Sequence, residues 1–181
     1  MANPNGPRGF TVTNALGGGS GFVKRFAVDT GTAIIAYPGD LAEIDTDGVA
    51  NVLGAQSDDY AGPIVGIYNS DKQPVSSLAA STAGYFDINI DPGIIMICQV
   101  GDGGTALTSA AVGDAADAIW THAGSGSRAG VELDASLAGD GAAAQFRILG
   151  LVETPDNTWG ANCKVYVTAL EHAFNSTPNA I

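Results

Sequence analysis

Two histidines and two cysteines are the side chains best suited to nucleophilic or metal chemistry in this chain: His122, His172, Cys98 and Cys163. A catalytic triad needs a base beside an activated hydroxyl or thiol, with a third group orienting the base. His122 sits in a glycine-rich stretch after Trp120, and His172 follows Glu171 near the end, so each would have to meet its nucleophile through tertiary folding. The strained turn that exposes a hydrolase serine needs glycines two before and two after it; Ser20 has Gly18 but then Phe22. No His/Cys spacing resembles a zinc site. Cys98 lies in the apolar run 94–98 and Cys163 precedes a strand-like segment, so both read as buried free thiols, their pairing left open.

The remaining candidates are equally local. Asp45-Thr46-Asp47-Gly48 opens like a calcium loop, but the glycine comes fourth rather than sixth and Gln56 stands where the closing Glu belongs. It reads as a turn. Gly124-Ser125-Gly126-Ser127-Arg128-Ala129 matches a loose dinucleotide fingerprint without the strand before it or the helix after it, and reads as a loop. Asp58-Asp59 is a carboxylate pair in a solvated loop. These residues imply no enzyme, no cofactor and no metal.

The elements that must position any site are strands. Phe86, Ile88 and Ile90 alternate with Tyr85, Asp87 and Asn89, the two-residue period of a half-buried strand. Asp91-Pro92-Gly93 turns the chain, and 94–100 reads as a strand buried on both faces. Alternation recurs over 145–152 and 164–170, with shorter strands at 22–28, 33–37, 41–44, 49–53, 64–68, 118–120 and 131–133. The Asp45–Gly48 turn makes 41–53 a hairpin. Short helices are expected at 106–116 and around 76–81. Strands at this spacing predict an all-β domain, a small β-barrel or β-sandwich with one or two short helices, over residues 22–174 and possible as two small lobes. Residues 1–21, rich in Asn, Pro and Gly, read as a flexible N-terminal arm, and 175–181 as a polar tail.

Composition narrows the partners. The 181 residues carry 19 acids against 7 bases, a formal charge of -12 that repels polyphosphate and argues against nucleic acid. No apolar run approaches the roughly 20 residues that span a bilayer, and the start lacks the basic and apolar segments of a signal peptide, so a soluble protein made in the cytoplasm is expected. Only 14% of residues are charged, where roughly 25% is usual. Glycine and alanine together make close to a third of the chain. A surface so sparsely charged raises the question of what conceals it.

Several blocks together resemble a family of small virion proteins of tailed bacteriophages, the capsid decoration or cement proteins. They are Arg128-Ala129-Gly130-Val131-Glu132-Leu133-Asp134, Ala144 to Val152 with its Gln145-Phe146-Arg147-Ile148-Leu149-Gly150, Pro155 to Asn162 with its Pro155-Asp156-Asn157-Thr158-Trp159-Gly160, and Lys164 to Val167 through Glu171-His172. Asn3 to Phe10 and the 38–44 segment also fit, so the resemblance covers about half the chain. At Thr154 and Leu170 the chain departs from the family's pattern, which has a basic residue and Asn there. The resemblance implies a β-rich homotrimer on the outer surface of the expanded head, made in the bacterial cytoplasm, with the major capsid protein as partner. Trimerisation would multiply the effective concentration of each contact and bury part of the charge-poor surface. The arm would add a strand to a shell-protein sheet, with Arg8 and Phe10 as anchors because Arg and aromatics dominate hot spots, and Phe22 counted with them. Pro155, Asp156, Asn157 and Trp159 would form a trimer or structural motif. The alternative is a glycan- or receptor-binding module of a virion appendage, with Trp120, Trp159, Tyr60 and Tyr85 as its aromatic platform.

Overall fold

A computed structural model describes residues 3, 6, 8–19, 21–28, 30, 34–45, 47–53, 60–101, 106–120, 130–136 and 144–174. The architecture is all-β. Among the described residues twelve strands run in chain order: β1 (Thr11–Ala15), β2 (Val23–Ala27), β3 (Leu41–Ile44), β4 (Ala50–Val52), β5 (Tyr60–Asn69), β6 (Gly84–Asn89), β7 (Ile94–Gln99), β8 (Ala115–Ala116), β9 (Ala118–Trp120), β10 (Val131–Leu133), β11 (Phe146–Leu151) and β12 (Lys164–Ala169). Two five-stranded antiparallel sheets carry the core, in the orders β2-β6-β5-β3-β4 and β1-β7-β12-β11-β8.

The first sheet curls until its ends meet: Val28, just past β2, bridges Ala50 of β4. That contact closes a small barrel whose interior takes Phe26, Val52, Ile64, Ile67, Phe86 and Ile88. Closure removes the exposed edges that an open sheet would offer to aggregation. Small residues permit the close approaches. A Cβ on Gly62 (φ 149°) would overlap the carbonyl oxygen of Asn89, so only glycine fits this point of β5.

The second sheet buries Met96 and Cys98 of β7, Val165 and Val167 of β12, and Phe146 and Ile148 of β11. Leu41, Leu53 and Tyr60 reach into the same core from the barrel side, while the β9–β10 ribbon adds Val131 and Leu133. A run of rings links the two cores. Phe10 lies 4.8 Å from Phe146, Phe146 5.0 Å from Tyr60, and Tyr60 5.3 Å from His172. His172 then meets Phe174 at 5.8 Å, and Phe174 stacks on Phe26 of the barrel at 6.4 Å. The two-lobed arrangement is therefore one continuous packing unit.

Most expected strands form, and the 41–53 hairpin forms with the Asp45 and Gly48 turn: Asp45 N–H donates to Val49 O and Gly48 N–H to Asp45 O. Four expectations are corrected. β7 is not buried on both faces: Ile94, Met96 and Cys98 point inward while Ile95 and Ile97 are half-buried. An all-apolar run hides its own alternation. Residues 106–116 hold a single 3-10 turn at Ser109–Ala111, ended by Gly113 at φ 97°, after which Ala115–Ala116 pairs with β11. Residues 76–81 are not helical, and Leu78 instead bridges Ala36, the sole paired residue described within the expected 33–37 strand.

The fourth correction concerns the arm. Residues 11–15 are β1, paired with β7, and Phe10 is 2% exposed inside the second core. Phe10 N–H donates to Gly39 O at 2.8 Å, and Asn3 is tied to a distant turn. The domain thus begins before residue 22, because a mostly polar segment still supplies one large aromatic plug and a row of backbone donors.

Candidate binding surface

The 155–159 motif is built by the β11–β12 hairpin. Val152 N–H still bonds Lys164 O, beyond which the chain loops out before returning as β12. Asn157 is buried inside that loop and rebuilds the ladder. Its Nδ2 donates to Val152 O at 2.7 Å and Lys164 O at 2.8 Å, while Lys164 N–H donates to its Oδ1 at 2.9 Å. Trp159 packs half-buried against the second core; Pro155 and Asp156 are exposed.

Replacing Asn157 with alanine is expected to cost roughly 1–3 kcal/mol: Lys164 N–H loses its acceptor, while the Val152 and Lys164 carbonyls each lose one of two donors and keep Thr154 N–H and Val152 N–H. Asn157→Asp keeps the acceptor for Lys164 but sets a charge against two carbonyls, and should be at least as damaging. Urea denaturation of the two variants checks this; wild-type stability in both would remove the structural role.

Asn3 clamps the same loop from the other side. Its Nδ2 donates to Thr158 O and Ala161 O, both at 2.8 Å, and its Oδ1 accepts from Thr158 N–H at 3.0 Å. Gly6 N–H then reaches the Gln99 side chain at 3.0 Å, and Gln99 Nε2 donates to buried Glu132 at 2.7 Å. Between the N-terminal segment and the hairpin loop lies a cleft of about 330 Å³. Its lining includes Ile97 and Val152 together with Arg8, Lys164 and Asp156. None of these three charged side chains forms an ion pair with another described residue.

A second feature lies at the far end of β1. Leu16 is 65% exposed, Phe22 63% and Val23 46%. Leu16 N–H bonds Gly93 O and Ile90 N–H bonds Phe22 O, so both residues lie beside the Asp91-Pro92-Gly93 turn, an exposed apolar knob. Between knob and cleft runs β1, which among the described residues pairs only with β7 and carries no charged side chain on its free edge.

No family model, curated protein or solved structure matches the chain. Of the expected contact residues, Arg8 lines the cleft and Phe22 crowns the knob, but Phe10 is core and cannot anchor a partner. Arg8 and Asp156, assigned to two different roles, share one cleft. Of the aromatic platform, Tyr60 is fully buried and Trp159 is packed on the core, while Tyr85 lies under Lys72 with Nζ 5.6 Å from its ring. The side chain of Trp120 lies outside the described residues, as do His122, Asp58, Asp59 and the 124–129 loop. Leu16 carries no sequence signal of its own, and Asn3 and Lys164 stood out only within the resembling blocks, because their roles depend on which distant segments meet.

Among the described residues, both thiols, His172 and Asp40 are buried. Cys98 and Cys163 are free and buried, and burial raises both thiol pKa values, which keeps them protonated. His172 packs edge-on to Tyr60, accepts from Phe174 N–H at 3.2 Å through Nδ1, and leaves Nε2 without a partner. Burial lowers its pKa to about 4, with Asp91 opposing weakly. Asp40 is 1% exposed, and desolvation raises its pKa to about 7 against the opposing N–H donors of Tyr37 and Gly130. Among the described residues no group of three or more His, Cys, Asp or Glu side chains could hold a metal ion, and no helix is long and apolar enough to cross a membrane.

Proposed function

We propose that this chain is a virion structural protein, a decoration protein that binds the outer surface of an expanded phage head as a homotrimer and bridges neighbouring copies of the major capsid protein. The observation that carries the reading is the exposed knob of Leu16, Phe22 and Val23 beside an uncharged open strand edge, on a chain in which only 14% of residues are charged. Contiguous exposed apolar side chains mark interaction surfaces, and an unpaired edge offers main-chain hydrogen bonds to an added strand. The sequence blocks that resemble those of decoration proteins support the same class. So does the clamping of the 155–159 loop by Asn3, which gives a rigid outer feature that a shell lattice can grip without an ordering cost.

The role needs no catalytic group. It needs a stiff module that presents several weak contacts at once, and trimerisation then multiplies their effective concentration. The acidic charge keeps the free protein dispersed before assembly. Three measurements test the reading on purified protein and on the heads and virions of a phage that encodes it. Light scattering should give three times the chain mass of 18.2 kDa, and the copy number per virion should equal that of the major capsid protein or a fixed fraction of it. Expanded heads should bind the protein and unexpanded procapsids bind it poorly. A monomer that ignores both kinds of particle, or a copy number of a few per virion, would overturn the proposal.

A further inference from the structure

We infer that the cleft beside the 155–159 loop receives an acidic side chain flanked by an apolar one, from an extended segment of the shell protein; the assignment rests on the decoration reading above. The sequence suggested that this chain's own arm would reach into the shell. The fold places that segment differently: Asn3, Gly6 and Phe10 are each bonded back onto the domain, and they hold a wall against which a partner can insert.

Charge identifies the occupant. The chain has 7 bases against 19 acids, yet Arg8 and Lys164 converge on one cleft against a single carboxylate, Asp156. Three of the other four described cations have local work. Arg25 holds Asp87 through two hydrogen bonds of 2.7 and 2.8 Å and covers Tyr68, Lys24 lies over Phe26, and Lys72 over Tyr85. Arg147 is half-buried on β11, away from the cleft lining. Two cations that pair with no other described residue, in a lining that includes Ile97 and Val152, suit a carboxylate carried on an apolar body, and a volume of about 330 Å³ holds one or two side chains.

Continuity identifies the form. Thr11 lines the cleft and is also the first residue of β1, whose free edge runs from there toward the knob of Leu16 and Phe22. A segment that seats its carboxylate between Arg8 and Lys164 leaves the cleft directly onto that edge and can pair with it as an added strand. A compact metabolite would use the cleft and leave the edge idle.

The test uses the blocked peptide acetyl-Leu-Glu-Leu-amide, with its Gln and Lys counterparts, in an NMR titration of the full-length protein at millimolar peptide. The Glu peptide should shift the backbone amides of Gly9, Thr11 and Thr154, bind roughly tenfold more tightly than the Gln peptide, and weaken as salt is raised. Arg8→Gln with Lys164→Gln should abolish that preference and reduce binding to expanded heads roughly tenfold while trimer mass and thermal midpoint stay unchanged. If the double variant fails to fold, Arg8→Gln alone, at an exposed position, should remove a several-fold part of both effects. Equal shifts from the Glu and Gln peptides, no shift at the cleft amides, or full head binding by a folded double variant would each overturn the assignment. Failure of the wild-type protein to bind heads removes the decoration reading instead, and the peptide preference then reports on the cleft alone.

Discussion

Phe10→Ala is expected to destabilise the protein by roughly 3–5 kcal/mol, the range for deleting a buried aromatic ring. Domains of this size are stable by only about 5–15 kcal/mol, so the variant should show a sharply lowered denaturation midpoint. The reason is positional. Phe10 is 2% exposed, its ring lies 4.8 Å from Phe146, and its backbone N–H is held by Gly39 O. Removing it opens a cavity at the junction of sheet and barrel. There Phe146 also touches Tyr60, so the loss spreads along the row of rings. Arg8→Ala, two residues away but exposed, should change stability by no more than about 0.5 kcal/mol. A flexible arm predicts no effect from either substitution. Guanidinium denaturation of the two variants decides between the pictures, and a Phe10→Ala protein as stable as wild type would show that the N-terminal segment is not part of the core.

Stability against pH should reveal two buried groups that titrate against each other. Burial raises Asp40 from 3.8 to about 7, so the folded protein holds a proton that the unfolded chain has released between those values. The stability tied to that proton is complete below about pH 3.8 and is lost as pH rises toward 7. His172 has the opposite sense. Burial lowers it from 6.5 to about 4, so the unfolded chain binds a proton that the folded protein refuses, and stability is lost as pH falls through that window. Between about pH 4 and 6.5 the two slopes cancel, and their joint contribution in wild type is nearly flat.

Removing either partner should expose the other. Asp40→Asn keeps an oxygen to accept the Tyr37 N–H now bonded at 2.7 Å, and its stability should climb by roughly 3 kcal/mol from pH 4 to 6.5 relative to wild type. His172→Phe keeps a ring against Tyr60, and its stability should fall over the same window by roughly 3–4 kcal/mol on the same comparison. Asp87, held below the usual carboxylate range by Arg25, adds an acid-side loss common to all three proteins, so differences between the curves isolate the buried pair. Urea denaturation at half-unit pH steps measures this. Curves of Asp40→Asn and wild type that run parallel would mean that Asp40 is ionised and solvated like an ordinary surface carboxylate.

Much of the architecture was legible because it is written in neighbouring residues. The alternation in 85–90 and 164–170 puts one face of each strand in the core whatever the partner strand is. Asp45 and Gly48 reverse the chain through their own backbone preferences, so the hairpin between β3 and β4 formed as read. The misses share a cause. A run such as 94–98 is apolar on both faces, so its pattern cannot say that one face stays half open. The alanines at 106–116 favour a helix locally, but Gly113 stops the turn and β11 captures Ala115 and Ala116 as a strand. The asparagines of residues 3–5 looked like linker composition, yet Asn3 found three backbone partners in a loop more than 150 residues away.

The candidate site divides in the same way. By itself the sequence determined the all-β class, the acidic and charge-poor surface, and the absence of any recognisable spacing for catalysis. These follow from composition and from preferences that act over a few residues. Tertiary structure decided that Phe10 is core while Phe22 is surface, that Arg8, Asp156 and Lys164 share a cleft, and that Asp40 and His172 are held away from their ordinary ionisation. Whether an aromatic ring or a charge is exposed depends on which strands pair and close around it. That choice is made by the total burial and hydrogen bonding of segments far apart in the chain, and no local pattern carries it.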